Sequence, residues 1–556
     1  MKKWLSPTVI KKDVTRFAPL WGIYSVLMLI FLVMTWDSCD NSAQFINDAS
    51  GIMAGMGIVN MLYAGICGIL LFGDLFDPRM CNMLHAMPLG RESWFFSHLV
   101  SGLLFSVVPN LLGGLVTAAM LGQYAYGALL WFALMVLEYL LFFGMAAFAA
   151  QCAGNRLGAA VIYCMVNFFG ALVSWLAQMF YEPLLYGMRL RCRFLEWLRP
   201  IGKMINGDYL ITEYDNMTRT TALQEIPVKP WIYAGAAAVV GVSLVVLALM
   251  LYRKRSLESA GNLISVKPVI PVFLVLWSLC VGAIFYVLGV ESYLMLLFGS
   301  AVGFFTGRML LEKKVQVFSG KNLVTFGVSV AIFVATLGVT AWDPMDITRY
   351  VPEADEISAV RIYPQEAGYY EFYGMMQEQC CLLTEAEDLE KIRTLHQYMV
   401  EKRPDTESYI NPVTIVYELK NGRTVERYYN VPMDSEHMKI LSSIYSRPEY
   451  VLGEADLDVL MEKTVALQCQ DYEVDGLHYK YNGNVAEDPD AGALLEAIYQ
   501  DCCEGTLDQW SYGKNSLAYI RIGIMEDYGI REYYIDVYQN STNTRAVIRR
   551  LQNEKD

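Results

Sequence analysis

The sequence predicts a polytopic α-helical membrane protein of about nine transmembrane helices, followed by a C-terminal extracytoplasmic α+β domain. Three observations predict it. Only 18% of the 556 residues are charged and 55% are hydrophobic, with a mean hydropathy of +0.31; soluble domains average about 25% charged residues. Apolar stretches of the ~20 residues needed to cross a hydrocarbon core of about 30 Å recur through the first part of the chain. Charge is also segregated: residues 1–342 carry 23 Lys+Arg against 17 Asp+Glu, while residues 343–556 carry 20 against 40. The two nets, +6 and −20, add to the chain's −14. The expected domains are therefore a membrane domain over 1–342 and an acidic domain over 343–556. So acidic a tail repels phosphate, which argues against a nucleic-acid partner.

The expected spans are Phe17–Trp36, Gly51–Phe72, Trp94–Leu121, Ala128–Ala150 and Leu157–Phe180, then Trp231–Leu251, Val269–Val290, Tyr293–Arg308 and Val324–Trp342. The N-terminus holds Lys2, Lys3, Lys11, Lys12 and Arg16, which the positive-inside rule places in the cytoplasm. The loop Asp37–Ser50 has aspartates and no basic residue, so it is expected outside. Nine spans then put the tail outside as well. Residues 181–230 break the charge rule; they are read as amphipathic helices at the outer interface, with Phe194, Trp197 and Leu198 on the apolar side. The first apolar run is too long for a cleaved signal peptide and no small-residue cleavage site follows, so it is expected to stay as an anchor.

In the tail, Glu385–Val400 has helical spacing at Leu389, Ile392, Leu395 and Met399, with Thr384 as N-cap. Thr414–Leu419 and Thr424–Val431 flank Asn421-Gly422, a type I′ hairpin signal. Leu517–Ile524 and Glu532–Tyr538 read as strands and Asp488–Tyr499 as a helix. Two similar lobes are conceivable, but no repeat period stands out.

Catalytic chemistry is hard to find. The tail's histidines, His396, His437 and His478, have no metal-ligand spacing, and His396 reads as a packing histidine in a helix. There is no Gly-x-Ser-x-Gly elbow. Gly320-Lys321-Asn322 and Gly513-Lys514-Asn515 lack the spacing and hydroxyl of a phosphate-binding loop. No catalytic residue and no metal site are expected. Cys39, Cys192, Cys380, Cys381, Cys469, Cys502 and Cys503 fall in external parts, an odd number from which no pairing can be read.

Inside the membrane, Glu138 lies near the middle of the fourth span, where a lone charge costs about 2.5–3.5 kcal/mol and so demands a partner or a proton. Asn60, Asn110 and Asn167 are further polar points; Glu138 with Asn110 forms a candidate intramembrane polar site, against the plainer reading of helix-packing glue. Pro109 should kink the third span. On the cytoplasmic side, Pro78–Glu92 is too polar to span. Met80, Met83, Leu84 and Met87 recur there at helical spacing between Arg79 and Arg91, an apolar anchor for a partner or for lipid headgroups.

That loop, Leu75 to Glu92, resembles the cytoplasmic loop of ABC-2-type transporter permeases, where a leucine-proline, basic residue, arginine segment precedes the next span. Met87-Pro88 and Gly90-Arg91 fill those places, with Gly90 where the basic residue would stand. Tyr186-Gly187, Arg253–Gly261 with Glu258-Ser259-Ala260-Gly261, and Val416–Arg423 are similar to the YtrC/YtrD-like branch of that family. The resemblance implies a six-helix core plus three further spans and a separate cytoplasmic ABC ATPase carrying ATP and Mg²⁺. It also implies a homodimer or heterodimer with a second permease in the cell membrane, and a coupling role for Arg79, Met80, Met83, Leu84, Met87, Pro88 and Arg91. The expected function is export or clearance of a substrate. The alternatives are a sensor or resistance module whose external domain binds an antibiotic or an envelope lipid or peptide, and a membrane-anchored external hydrolase.

Overall fold

The computed structural model describes residues 4–37, 42–87, 89–121, 126–190, 195, 197–205, 207, 209–215, 220–255, 260–289, 292–363, 381–404, 410–432, 436–452, 454, 456–474, 477–486, 488–507, 518–526 and 529–553. They form two compact units. One comprises residues 1–180 and 190–336; the other comprises residues 181–189 and 337–556.

The first unit is helical. Helix α1 (Pro7–Arg16) meets α2 (Ala18–Asp37) at a 63° bend. Pro19 explains the break: its ring would clash with the carbonyl one turn earlier if α1 continued, yet it is tolerated in the first turn of α2. Next come α3 (Ser42–Leu71), the short α4 (Pro78–Ala86), α5 (Arg91–Leu121), α6 (Tyr126–Cys152) and α7 (Arg156–Tyr181). After α8 (Pro200–Ile205) and a hairpin of β1 (Ile211–Asp215) and β2 (Thr220–Glu225) the chain enters α9 (Val228–Lys254), α10 (Val269–Leu288), α11 (Tyr293–Glu312) and α12 (Gly320–Trp342). Among the described residues eight helices are long and apolar enough to cross a membrane, and nine if the bent pair is one span. The chain thus has the helices of a multi-pass membrane protein. In the segment between α7 and α9 the described residues include the short α8 and the β1–β2 hairpin, and the hairpin departs from the expected amphipathic helices. Phe194 lies outside the described residues, while Trp197 and Leu198 are exposed.

Two sequence features show how the bundle holds together. Pro109 removes a donor inside α5 and leaves the carbonyl of Phe105 free; the Tyr63 hydroxyl from α3 donates to that oxygen at 2.9 Å, so α5 runs on unbroken. Helices α6 and α9 cross glycine on glycine. A Cβ on Gly144 would lie 2.2 Å from the Gly241 carbonyl oxygen, and one on Gly241 would lie 2.3 Å from that of Leu140. Only small residues allow backbones so close, which is how helices associate where lipid removes the hydrophobic drive.

The second unit is α+β and repeats one topology twice. The first module runs β3 (Ile357–Tyr363), β4 (Cys381–Leu383), α13 (Ala386–Lys402), β5 (Ile410–Leu419), β6 (Thr424–Pro432) and α14 (Glu436–Tyr445), with antiparallel sheet order β4-β3-β5-β6. After the short helices α15 (Pro448–Val451) and α16 (Leu457–Lys463), the second module begins. It runs β7 (Thr464–Val474), β8 (Leu477–Gly483), α17 (Pro489–Cys503), β9 (Ala518–Glu526), β10 (Gly529–Val537) and α18 (Thr542–Asn553), in the order β8-β7-β9-β10. The likeness extends to irregularities. The register slips after the first residue of β3 (between Ile357 and Ala359) and likewise of β7 (between Thr464 and Ala466). An aspartate in the first turn of each module's central helix pairs with an arginine in or just after its last helix, Asp388 with Arg447 and Asp490 with Arg550.

Asn421-Gly422 does turn β5 into β6, but not as type I′, which needs positive φ at both residues. Only Gly422 has it (φ 79°); its N–H donates to the Leu419 carbonyl, and the Leu419 N–H donates to that of Arg423. This is the longer turn closed by a left-handed glycine. The N-cap of α13 is Glu385 rather than Thr384. Residues 181–189 join this unit at the free edge of β6, where the Tyr428 N–H donates to the Gly187 carbonyl at 3.0 Å. Gly187 has φ 74°, and a Cβ there would strike the Tyr429 ring at 2.4 Å, so both conformation and space require glycine.

Candidate functional site

Four helices meet at a buried polar chain in the middle of the first unit. Asn110 of α5 donates through Nδ2 to the Tyr24 hydroxyl of α2 at 3.2 Å. Tyr24 donates to Asn60 Oδ1 of α3 at 2.8 Å, and Asn60 Nδ2 donates to Glu138 Oε2 of α6 at 2.7 Å. The chain therefore runs one way and ends on a carboxyl. Tyr63 stacks on Tyr24 at 3.9 Å between ring centroids, which fixes the phenol that links both asparagines. Glu138 is fully buried, and its Oε1 has no hydrogen-bond partner among the described residues. An open carboxyl oxygen in an apolar bundle can take up a proton or accept one donor from a polar ligand. Asn110 and Glu138 thus share one network through Tyr24 and Asn60. Asn167 stands apart, donating to the Tyr163 carbonyl one turn earlier in α7.

The segment read as a partner anchor forms α4. Asp77 caps its start, accepting from the Arg79 N–H at 2.8 Å, and Pro78 occupies the first helical position. Cys81 faces inward and is buried, while Arg79, Asn82, Met83, Ala86 and Met87 are exposed. Those positions, three and four apart, make one free stripe along the helix. Met80 is half-buried and flanks that stripe. The Leu84 side chain and Pro88 lie outside the described residues. Arg91 is turned inward, donating to the Arg255 carbonyl at 3.2 Å, and the neighbouring Glu92 pairs with Arg253 at 2.6 Å. The start of α5 is thereby tied to the end of α9. Arg255 in turn donates to the carbonyls of Ala150 at 3.0 Å and Leu75 at 3.2 Å, closing the C-terminus of α6.

Sequence reasoning missed a second buried pair. Asp13 of α1 and His98 of α5 meet at 2.7 Å, with the Ser101 hydroxyl donating to the same carboxylate oxygen at 3.0 Å. A histidine inside an apolar span needs a polar partner, and that signal could have pointed back to the aspartate of the N-terminal helix. In the second unit His396 is a packing residue. It is fully buried, its Nδ1 lies 3.0 Å from the Tyr417 hydroxyl, and its ring lies beside those of Tyr417 and Tyr429. Burial, assisted by the Arg427 charge, pushes its pKa down to about 3. Cys469, Cys502 and Cys503 are free thiols. Among the described residues no group of three or more His, Cys, Asp or Glu could hold a metal ion.

Comparison with known proteins adds one finding. A family described as a domain of unknown function (DUF6449) matches residues 417–521. That stretch starts within β5 of the first module and ends within β9 of the second, so it covers β6, α14, β7, β8 and α17 whole and only parts of β5 and β9. No curated protein and no solved structure matches the chain.

Proposed function

We propose that the chain is the membrane permease subunit of an ABC-2-type transporter. It exports a substrate, or clears it from the outer leaflet, using ATP hydrolysed by a separate cytoplasmic ATPase, and it acts as a dimer with itself or a second permease. The observation that carries this reading is α4. It is a capped helix between two membrane-length helices, with one side seated on the bundle at Cys81 and a free stripe through Arg79, Met83 and Met87. The start of α5, which follows it in the chain, is tied through Glu92–Arg253 and Arg91–Arg255 to α9, so a push on α4 would reach α5 and α9 together. Such a helix transmits force when it docks in a cleft of a partner. The sequence has no phosphate-binding loop, and in this reading ATP and Mg²⁺ belong to that partner. In this reading the bent first pair counts as one span, and the nine spans run from a cytoplasmic basic N-terminus, with α4 on the same side, to an external α+β unit.

The test is co-purification of the full chain with the cytoplasmic ATPase. Met83→Asp puts a charge into the docked stripe and should abolish recovery of the ATPase while the permease still inserts and elutes as the parent does. An ATPase that binds this variant with unchanged affinity and turnover would refute the coupling role.

A further inference from the structure

The first unit carries a groove of about 500 Å³ bounded by α6, α7, α9 and α10. Its walls include Met145, Met165, Phe169, Tyr233 and Ala237, and no charged side chain lines it among the described residues. It opens sideways, since Phe169, Val240 and Val272 on its rims are exposed. One end is built. The Trp197–Pro200 turn closes it, and the Tyr233 hydroxyl donates to the Trp197 carbonyl at 3.0 Å. A Cβ on Gly170 would lie 2.4 Å from the Leu198 carbonyl oxygen, so glycine lets that turn sit directly on α7. Trp and Tyr are the side chains that favour the level of lipid headgroups.

Size decides what fits. From Tyr233 to Leu244 the groove follows α9 for about 16 Å at 1.5 Å per residue. That is half of a hydrocarbon core of about 30 Å, the depth of one leaflet. One extended acyl chain matches that depth, and an uncharged groove open to the side admits it directly from the bilayer. We propose that the groove holds one acyl chain of a bilayer lipid, with its headgroup at the Trp197–Tyr233 end. The proposal needs only that these helices cross a membrane and is independent of the transporter reading.

The probe is phosphatidylglycerol carrying a photoactivatable diazirine in its acyl chain, in nanodiscs holding the full-length protein. After illumination, adducts are mapped by peptide mass spectrometry. The exposed side of α12 around Val328 and Ile332 serves as the reference for ordinary boundary lipid. Adducts at Met165, Phe169 and Val240 should exceed that reference by about tenfold, the enrichment a preference of about 1.4 kcal/mol produces. Ala236→Trp, at an exposed lining position, should fill the groove and bring its adducts to the reference level without altering those on α12. Ala237→Leu is the second variant, for the case in which the larger ring perturbs folding. Groove adducts no denser than on α12, or unchanged in both variants, would overturn the proposal. So would a Val240→Cys variant that forms an intermolecular disulfide and excludes the lipid, since a second copy would then cover the groove.

Discussion

Replacing His396 by phenylalanine should flatten the acid side of the tail's stability profile. The folded tail holds this imidazole neutral down to about pH 3, whereas in the unfolded chain it protonates near its ordinary value of 6.5. Folding therefore excludes a proton that the unfolded state binds, so stability is fully present above pH 6.5 and is lost as pH falls toward 3. Between pH 7 and pH 5 the loss amounts to about 2 kcal/mol, at 1.36 kcal/mol per unit. Carboxylates barely enter this window. Asp388, for example, is held below its ordinary value by the Arg447 guanidinium and loses its contribution only below about pH 4. Phenylalanine can keep the ring contacts with Tyr417 and Tyr429 but leaves the Tyr417 hydroxyl without the imidazole, a cost of about 1–3 kcal/mol at every pH. The informative quantity is thus the slope and not the offset. Hydrogen exchange on the full-length protein, followed in peptides from α13 and β5 between pH 7 and pH 5, reads it directly. If the phenylalanine variant keeps the parent's slope, the burial argument for His396 fails.

Two further predictions separate packing from function. The Asp388–Arg447 pair is bidentate, at 2.8 Å on both arms, with the carboxylate almost fully buried, so Asp388→Ala should destabilise α13 by about 2 kcal/mol. The corresponding Asp490–Arg550 pair is half exposed, and Asp490→Ala should cost no more than about 1 kcal/mol at α17; equal losses in hydrogen exchange would contradict this. In the bundle, Glu138→Gln preserves an acceptor for Asn60, while Glu138→Leu strands that buried amide at a cost of about 1–3 kcal/mol. Thermal inactivation in detergent should rank parent, Gln and Leu in that order; a Gln variant as labile as the Leu variant would show that the hydrogen bond from Asn60 contributes little.

The membrane helices were legible because twenty apolar residues in a row have few other uses. The structure sets their ends within a few residues of the expected spans, except where α3 starts nine residues early at Ser42 through a stretch too polar to register as span. The position of Glu138 was legible for the same reason: a carboxyl in an apolar run must face the interior. Its partners were not, since nothing along the chain says that Tyr24 lies beside Asn60. Contacts between residues 36 and 78 apart depend on which helices are neighbours, and an apolar bundle carries almost no amphipathic signal to say so.

The duplication in the tail was hidden for a different reason. Its elements repeat in order, sheet position and bulge, but the spacing between equivalents varies. The two bulges, at Ile357/Ala359 and Thr464/Ala466, lie farther apart than the paired aspartates Asp388 and Asp490. A fixed period therefore never appears. Side chains differ between the modules: the central strand of one carries Tyr417 at the register position where the other carries Ile522. What survives is what the topology itself needs, namely the strand order, the bulge and one first-turn aspartate tied to the closing helix region. One hydrophobic core draws on both modules, including Ile415, Leu395, Ile520 and Leu494. Copies that share a core are constrained together, so insertions are tolerated only between elements, and the repeat persists in the fold after it has faded from the spacing.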